Sequence, residues 1–196
     1  VSVLEGLNSY KENKVIYTNG VDLYYGETNF FTRVNINYTD RTGFNQAKLA
    51  AKSSDVVVMV LGEEGYQTGE GRSRTNLLLP GLQQELLKEV YKVNKNVVLV
   101  LVNGRPLNIS WADENIPAIV EVWQLGSQAG NAIAQVLYGD YNPSGKLTMS
   151  FPRNIGQVPI YYNYKNTGRP STSFKQVTTS AYSDVENSPL YPFGYG

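Results

Sequence analysis

The sequence has no cysteine and no histidine among its 196 residues. Without cysteine there are no disulfides and no thiolate zinc sites, and redox chemistry says nothing of compartment. Without histidine the commonest general base and metal ligand is missing, and every Ser-His-Asp arrangement is excluded. Acid–base chemistry therefore falls to carboxylates, lysine or tyrosine. No apolar run approaches the ~20 residues that span a bilayer, so no membrane partner is indicated. No signal-peptide pattern is visible. The chain starts VSVLEGLNSYKENK, without an initiator methionine, as a mature chain or an excised piece would. Neither sign of charge is in excess, since Lys+Arg and Asp+Glu are both 17. A nucleic-acid partner, which needs a basic face, is not indicated either.

What is present points to one globular domain with a sizeable core. Tyrosine is abundant, at 15 residues. A flat apolar ring with a hydroxyl suits wet surfaces and sugar contacts, and equally suits ordinary strands and surfaces. Along the chain, apolar runs alternate with helical spacing. Lys14–Thr18 (KVIYT) reads as a short strand, Phe44–Asp55 as a helix, and Asp55–Leu61 (DVVVMVL) as a strand buried on both sides. Pro80–Asn94 places Leu82, Leu86 and Val90 on one helical face, with Pro80 in the first turn. Asn96–Val102 and Pro117–Trp123 read as further strands, Ala129–Gly139 as a helix, and Lys146–Phe151 (KLTMSF) as a last strand. The alternation predicts an α/β fold. It is a three-layer α/β/α sandwich with a mostly parallel sheet, flavodoxin-like in arrangement. Val21–Thr42 and Pro159–Gly196 lack periodicity and read as long loops or edge elements.

Ligands of open α/β sheets bind beyond the carboxyl ends of the strands. Those ends carry GEEGYQTGEGRSRTN (Gly62–Asn76), NGRPLN (Asn103–Asn108) and QLGSQAGN (Gln124–Asn131). The first is acidic and glycine-rich. Glu70, between Gly69 and Gly71, sits where glycines allow unusual backbone angles. A carboxyl held protonated by its surroundings donates a proton. Exposed glutamate is also common, and pattern alone favours a solvated loop. Glu63 directly follows the buried strand and is better placed to accept backbone N–H groups or to pair with Arg74 or Arg105. Arg72 and Arg74 suit either clamping of carboxylates and hydroxyls or charge balance within the loop. A phosphate loop would need bare N–H groups and a lysine where this loop has acids, and no cofactor or metal is indicated. Trp111 and Trp123 suit sugar platforms or packing. The triplets NYT (Asn37–Thr39) and NIS (Asn108–Ser110) are glycosylation acceptors only if exposed.

The ordered series SDVVVMVLGE, SRTNLLLPGLQQELL, NVVLVLVNGRPL, IVEVWQLGSQAGNAIAQVLYGDYNPSGKLTMSFPRNIGQVPIYYNY, NTGRP and LYPFGYG resembles the second domain of family 3 glycoside hydrolases, and bacterial periplasmic β-glucosidases in particular. The resemblance covers residues 1–170 and the last few. It implies a retaining, exo-acting β-glycosidase acting on β-linked glucosides or oligosaccharides, in a periplasmic or secreted setting. It also implies an aspartate nucleophile in a preceding (β/α)₈ barrel, and an acid/base glutamate on a loop of this domain. Gly62-Glu63 and Ser73-Arg74-Thr75 bracket that glutamate. Glu70 takes its place, with Glu64 as a second candidate in a loop of variable length. Glu63, Arg74 and Arg105 become loop supports, and the NGRP turn a structural or interface element.

The departures from the family pattern matter as much. No barrel, and so no family nucleophile or sugar-holding histidine and lysine, is present in 1–196. The family's opening strand, ending in Gly-Pro, would precede VLEGL, and a fibronectin-like domain would follow YPFGYG. The chain then reads as a fragment of a larger glycosidase, inactive by itself. The reading from another class is a stand-alone carbohydrate-binding or scaffold module.

Overall fold

The computed structural model describes residues 1–171 and 178–196. It comprises two compact units. One is Val1–Ser73 with Leu79–Arg105 and Ala112–Pro143; the other is Arg74–Leu78 with Pro106–Trp111 and Ser144–Gly196. The helices are α1 (Val3–Asn8), α2 (Phe44–Lys52), α3 (Gln83–Val93), α4 (Ser110–Asn115), within which the division falls, and α5 (Ala129–Leu137). The strands are β1 (Val57–Gly62), β2 (Val97–Val102) and β3 (Ala118–Glu121).

In the first unit the strands form a parallel sheet in the order β1–β2–β3. Val57 pairs with Val97 through to Gly62 with Val102, and Val98 with Ala118 through to Leu101 with Glu121. This register brings the carboxyl ends of all three strands to one edge. Successive strand residues point to opposite faces. Val58, Val100, Val102, Val120 and Val122 meet Ile133 and Leu137 of α5 and Val3 of α1. The alternate set, Met59, Leu61, Leu99 and Leu101, is buried on the other face. There α3 packs on β1 and on α2, with Leu86, Leu87 and Val90 buried. Helices on both faces of a parallel sheet are the expected three-layer α/β/α arrangement. Gln83, buried at the start of α3, accepts from Gly62 N–H and donates to Gly62 O, each at 2.7 Å. That pair fixes where β1 ends. On the other face α1 and α5 pack at two glycines: a Cβ on Gly6 would stand 2.1 Å from Gly130 O, and one on Gly130 1.8 Å from Ser2 O.

Several elements differ from expectation. Lys14–Thr18 forms no strand. Its Ile16 and Tyr17 are exposed, so it has the composition of a strand without a ladder partner. Lys146–Phe151 is not a continuous strand either. It contributes one bridge, Phe151 to Tyr191, and bonds through Leu147 to Tyr195 O and Gly194 N–H, with a bend between. Pro80 lies ahead of α3 rather than in its first turn. Two short helices were not foreseen. For α1 the signal was legible as S-x-x-E: Ser2 and Glu5 form a reciprocal capping box. Val21–Thr42 is irregular as expected, with one bridge, Tyr24 to Ile36.

The second unit is held by irregular backbone pairing. Asn108 N–H donates to Leu77 O at 2.7 Å, and Ser110 Oγ to Arg153 O at 2.7 Å. Gln157 accepts from Arg153 N–H at 2.7 Å and donates to Glu186 O at 2.6 Å. Leu107, Ile109 and Phe151 are its buried apolar residues. The 172–177 part of the Pro159–Gly196 loop reading lies outside the described residues.

Candidate functional site

The acidic loop leaves β1 at the carboxyl edge of the sheet. Glu63 continues the pairing, its N–H donating to Val102 O at 2.7 Å. Its side chain is fully buried and meets Arg105 at 3.1 Å; Gly104 N–H also donates to it, at 3.3 Å. A buried carboxylate needs such a partner, because taking a lone charge out of water costs several kcal/mol. The same guanidinium donates through Nη2 to Gln67 O at 2.6 Å. Arg105 thus ties the end of β1 to the middle of the loop.

Between these anchors the chain makes one 3₁₀ turn, Gly65–Gln67. Glu64 caps it. Its carboxylate accepts from Tyr66 N–H at 2.6 Å and from Thr28 Oγ1 at 3.2 Å, while Gln67 Oε1 accepts from Glu64 N–H at 2.9 Å. Thr68 Oγ1 accepts from Gln124 Nε2 at 2.8 Å. The chain then turns through Gly69–Arg72, closed by Arg72 N–H donating to Gly69 O at 3.1 Å. Gly69 has φ +112 and Gly71 has φ +70, with open space where a Cβ would stand on either. Backbone angle, not crowding, requires glycine at both positions. Glu70 sits at the tip between them and is exposed. Among the described residues none hydrogen-bonds to or pairs with its carboxyl. Arg72 folds back, its Nη2 donating to Phe30 O and its guanidinium lying 5.6 Å from the Phe30 ring centre.

Of the residues singled out from sequence, Glu63, Glu64, Glu70, Arg72 and Arg105 fall in the first unit. Glu63 and Arg105 are in direct contact. Arg74 falls in the second unit and donates to Leu78 O at 3.0 Å. Asn37 of the NYT triplet is 0% exposed. Its Oδ1 accepts from Tyr25 OH and from Thr39 and Asp40 N–H, and its amide donates to Asp22 and Asp40 O. That asparagine is a structural knot rather than a glycan acceptor.

One residue was missed from sequence. Glu121 ends β3, and its signal was a lone acid inside an apolar strand run. Its carboxyl accepts from Trp123 N–H at 2.8 Å and from Asn103 Nδ2 at 3.2 Å. Burial pushes it up to about 7, against the lowering effect of those two donors. On the α5 face of the same edge lies a cavity of about 380 Å³ with Val3, Val102, Val122, Leu125 and Ile133 in its walls. Such walls offer few hydrogen bonds to a sugar. No helix among the described residues is long and apolar enough to cross a membrane.

The family model described as the glycosyl hydrolase family 3 C-terminal domain matches residues 1–196. The chain belongs to that family. Among its relatives, the periplasmic beta-glucosidase of Salmonella typhimurium is 52% identical over 153 residues, covering 78% of this chain and 20% of that protein. A beta-xylosidase of Formosa agariphila is 43% identical over 198 residues, covering 100% of this chain and 25% of that protein. A crystal structure of a mutant beta-glucosidase from Listeria innocua in complex with laminaribiose superposes with a TM-score of 0.83 at 38% identity, covering 99% of this chain and 25% of that one. This family 3 C-terminal domain therefore spans a fifth to a quarter of the length of those relatives.

Proposed function

We propose that this domain supplies the acid/base carboxylate, Glu70, to a retaining β-glycosidase whose nucleophile is an aspartate on a (β/α)₈ barrel elsewhere in the parent protein. The substrate class is a non-reducing terminal β-linked glucoside or oligosaccharide. The observation that carries the reading is the build of the loop. Glu63 is committed to Arg105 and Glu64 to capping the 3₁₀ turn. Glu70 is the carboxylate that the loop does not use for itself, raised between two glycines whose angles other residues rarely adopt. A loop anchored at its base and bare at its tip can carry an acid to a second domain. Retaining hydrolysis needs the two carboxyl groups about 5–5.5 Å apart.

In that geometry Glu70 protonates the departing oxygen while the barrel aspartate attacks the anomeric carbon. Glu70, now ionised, then takes a proton from the water that releases the sugar. The relatives named beta-glucosidase and beta-xylosidase support the substrate class. The Salmonella relative's name supports a periplasmic or secreted setting. The test is Glu70→Gln in the full-length protein. Alkyl glycosides and disaccharides, whose leaving groups need protonation, are expected to lose far more activity than aryl glycosides with acidic leaving groups. Equal losses on both would remove Glu70 from the acid/base role.

A further inference from the structure

We propose that Glu121 is a positioning residue that holds the acidic loop in place from two directions at once. The proposal rests on reading Glu70 as the acid/base group. One arm runs through Asn103, which is fully buried. Its Nδ2 donates both to Glu121, at 3.2 Å, and to Arg105 O, at 2.9 Å. Arg105 in turn grips Glu63 and the Gln67 carbonyl. The other arm runs through Trp123, whose N–H donates to Glu121 at 2.8 Å. Trp123 has φ 51, the one non-glycine residue with positive φ among those described. A bulky residue is strained at such an angle and persists there only where its surroundings over-determine it. The bond to Glu121 is such a constraint. It sets the direction in which the chain leaves β3, and the next residue, Gln124, donates to Thr68 Oγ1 at 2.8 Å. The two arms thus end on adjacent residues, Gln67 and Thr68, just ahead of the Gly69–Arg72 turn that carries Glu70.

The arrangement explains why an acid ends an otherwise apolar strand. Two donors, a side-chain amide and a left-handed backbone N–H, converge on one point, and a carboxyl has an acceptor oxygen for each. Glutamine has a single acceptor oxygen and would turn its NH2 toward one of the two donors, and alanine has no acceptor. The role is positional: Glu121 acts on the chemistry only through the loop.

The experiment uses the full-length protein carrying this domain, as unaltered, Glu121→Ala, Glu121→Gln and Gln124→Ala forms. Hydrogen–deuterium exchange is read over 63–71, with α5 as the control for general loosening. Glu121→Ala is expected to speed exchange in 63–71 by about tenfold while α5 is unchanged, and Glu121→Gln to fall between it and the unaltered protein. Gln124→Ala, on an exposed side chain, cuts one arm and gives a smaller increase in the same peptides. It carries the test if Glu121→Ala does not fold. Unchanged loop exchange in every variant that folds, or acceleration in α5 equal to that in the loop, would overturn the proposal. In parallel, kcat on substrates with poor leaving groups is expected to fall about tenfold in Glu121→Ala with little change in KM, since misplacement weakens chemistry more than binding. If Glu70→Gln lacks its leaving-group signature while loop exchange still responds to Glu121, the acid/base reading fails and the positioning role stands. The reverse result removes the positioning role alone.

Discussion

Replacing Arg105 by alanine tests the base of the loop. The Glu63 side chain is 0% exposed and that of Arg105 19% exposed, at 3.1 Å. Removing one partner of a buried pair typically costs about 3–5 kcal/mol, because the remaining charge stays desolvated. The partial exposure of Arg105 places the pair at the lower end of that range. The bond from Arg105 to Gln67 O is lost as well, worth about 1–3 kcal/mol because its donor is charged. Together these give an expected loss of about 4–6 kcal/mol, which for a chain of this size lowers Tm by roughly 8–24 °C. Urea unfolding followed by circular dichroism reads the loss directly. Adding Glu63→Gln to Arg105→Ala should restore part of it, because the buried negative charge is then gone. A loss below about 1 kcal/mol in Arg105→Ala, or no recovery in the double variant, would refute the argument that this pair is buried and coupled.

Other perturbations follow from the same structure. The Glu121 carboxyl titrates near 7 in the folded state against an ordinary 4.5. The folded protein therefore holds a proton that the unfolded chain has released, and stability falls as pH rises from about 4.5 to about 7, by on the order of 3 kcal/mol. Glu121→Gln should remove that slope in unfolding curves taken across the window. Gly71→Ala has space for its methyl but not the backbone angle, so it is expected to cost about 1–2 kcal/mol and to lower turnover in the full-length protein. Calorimetry and kinetics together check it. Leu99→Ala, at a fully buried position of the central strand, should cost about 3–5 kcal/mol in urea unfolding.

The sheet was legible because its strands are continuous apolar runs, and runs such as 57–62 and 97–102 have few other homes. Lys14–Thr18 has similar residue types, but a strand also needs a partner at its edge, and composition does not record partners. Lys146–Phe151 pairs through Leu147 and Phe151 with residues about 40 or more positions away, Leu190, Tyr191, Gly194 and Tyr195. Separation of that kind leaves no local mark. The loop's position at the sheet edge was legible from the strand that precedes it. The pairing of Glu63 with Arg105 was among the options open to the sequence, and the register of β1 on β2 favours it by bringing Gly62 beside Val102. The network around Glu121 was not legible, because it depends on a left-handed tryptophan that no residue type announces.

Glu70 is proposed as the acid/base carboxylate of a retaining enzyme. Its most direct test is chemical rescue of Glu70→Ala in the full-length protein, on an aryl β-glucoside with an acidic leaving group. Such a substrate forms the covalent glycosyl intermediate without protonation, and the intermediate then waits for a general base that is missing. Azide needs no base. Turnover is therefore expected to rise with azide concentration and to yield a β-glycosyl azide, with the substrate's configuration retained. No acceleration, or an α-glycosyl azide, would contradict the account.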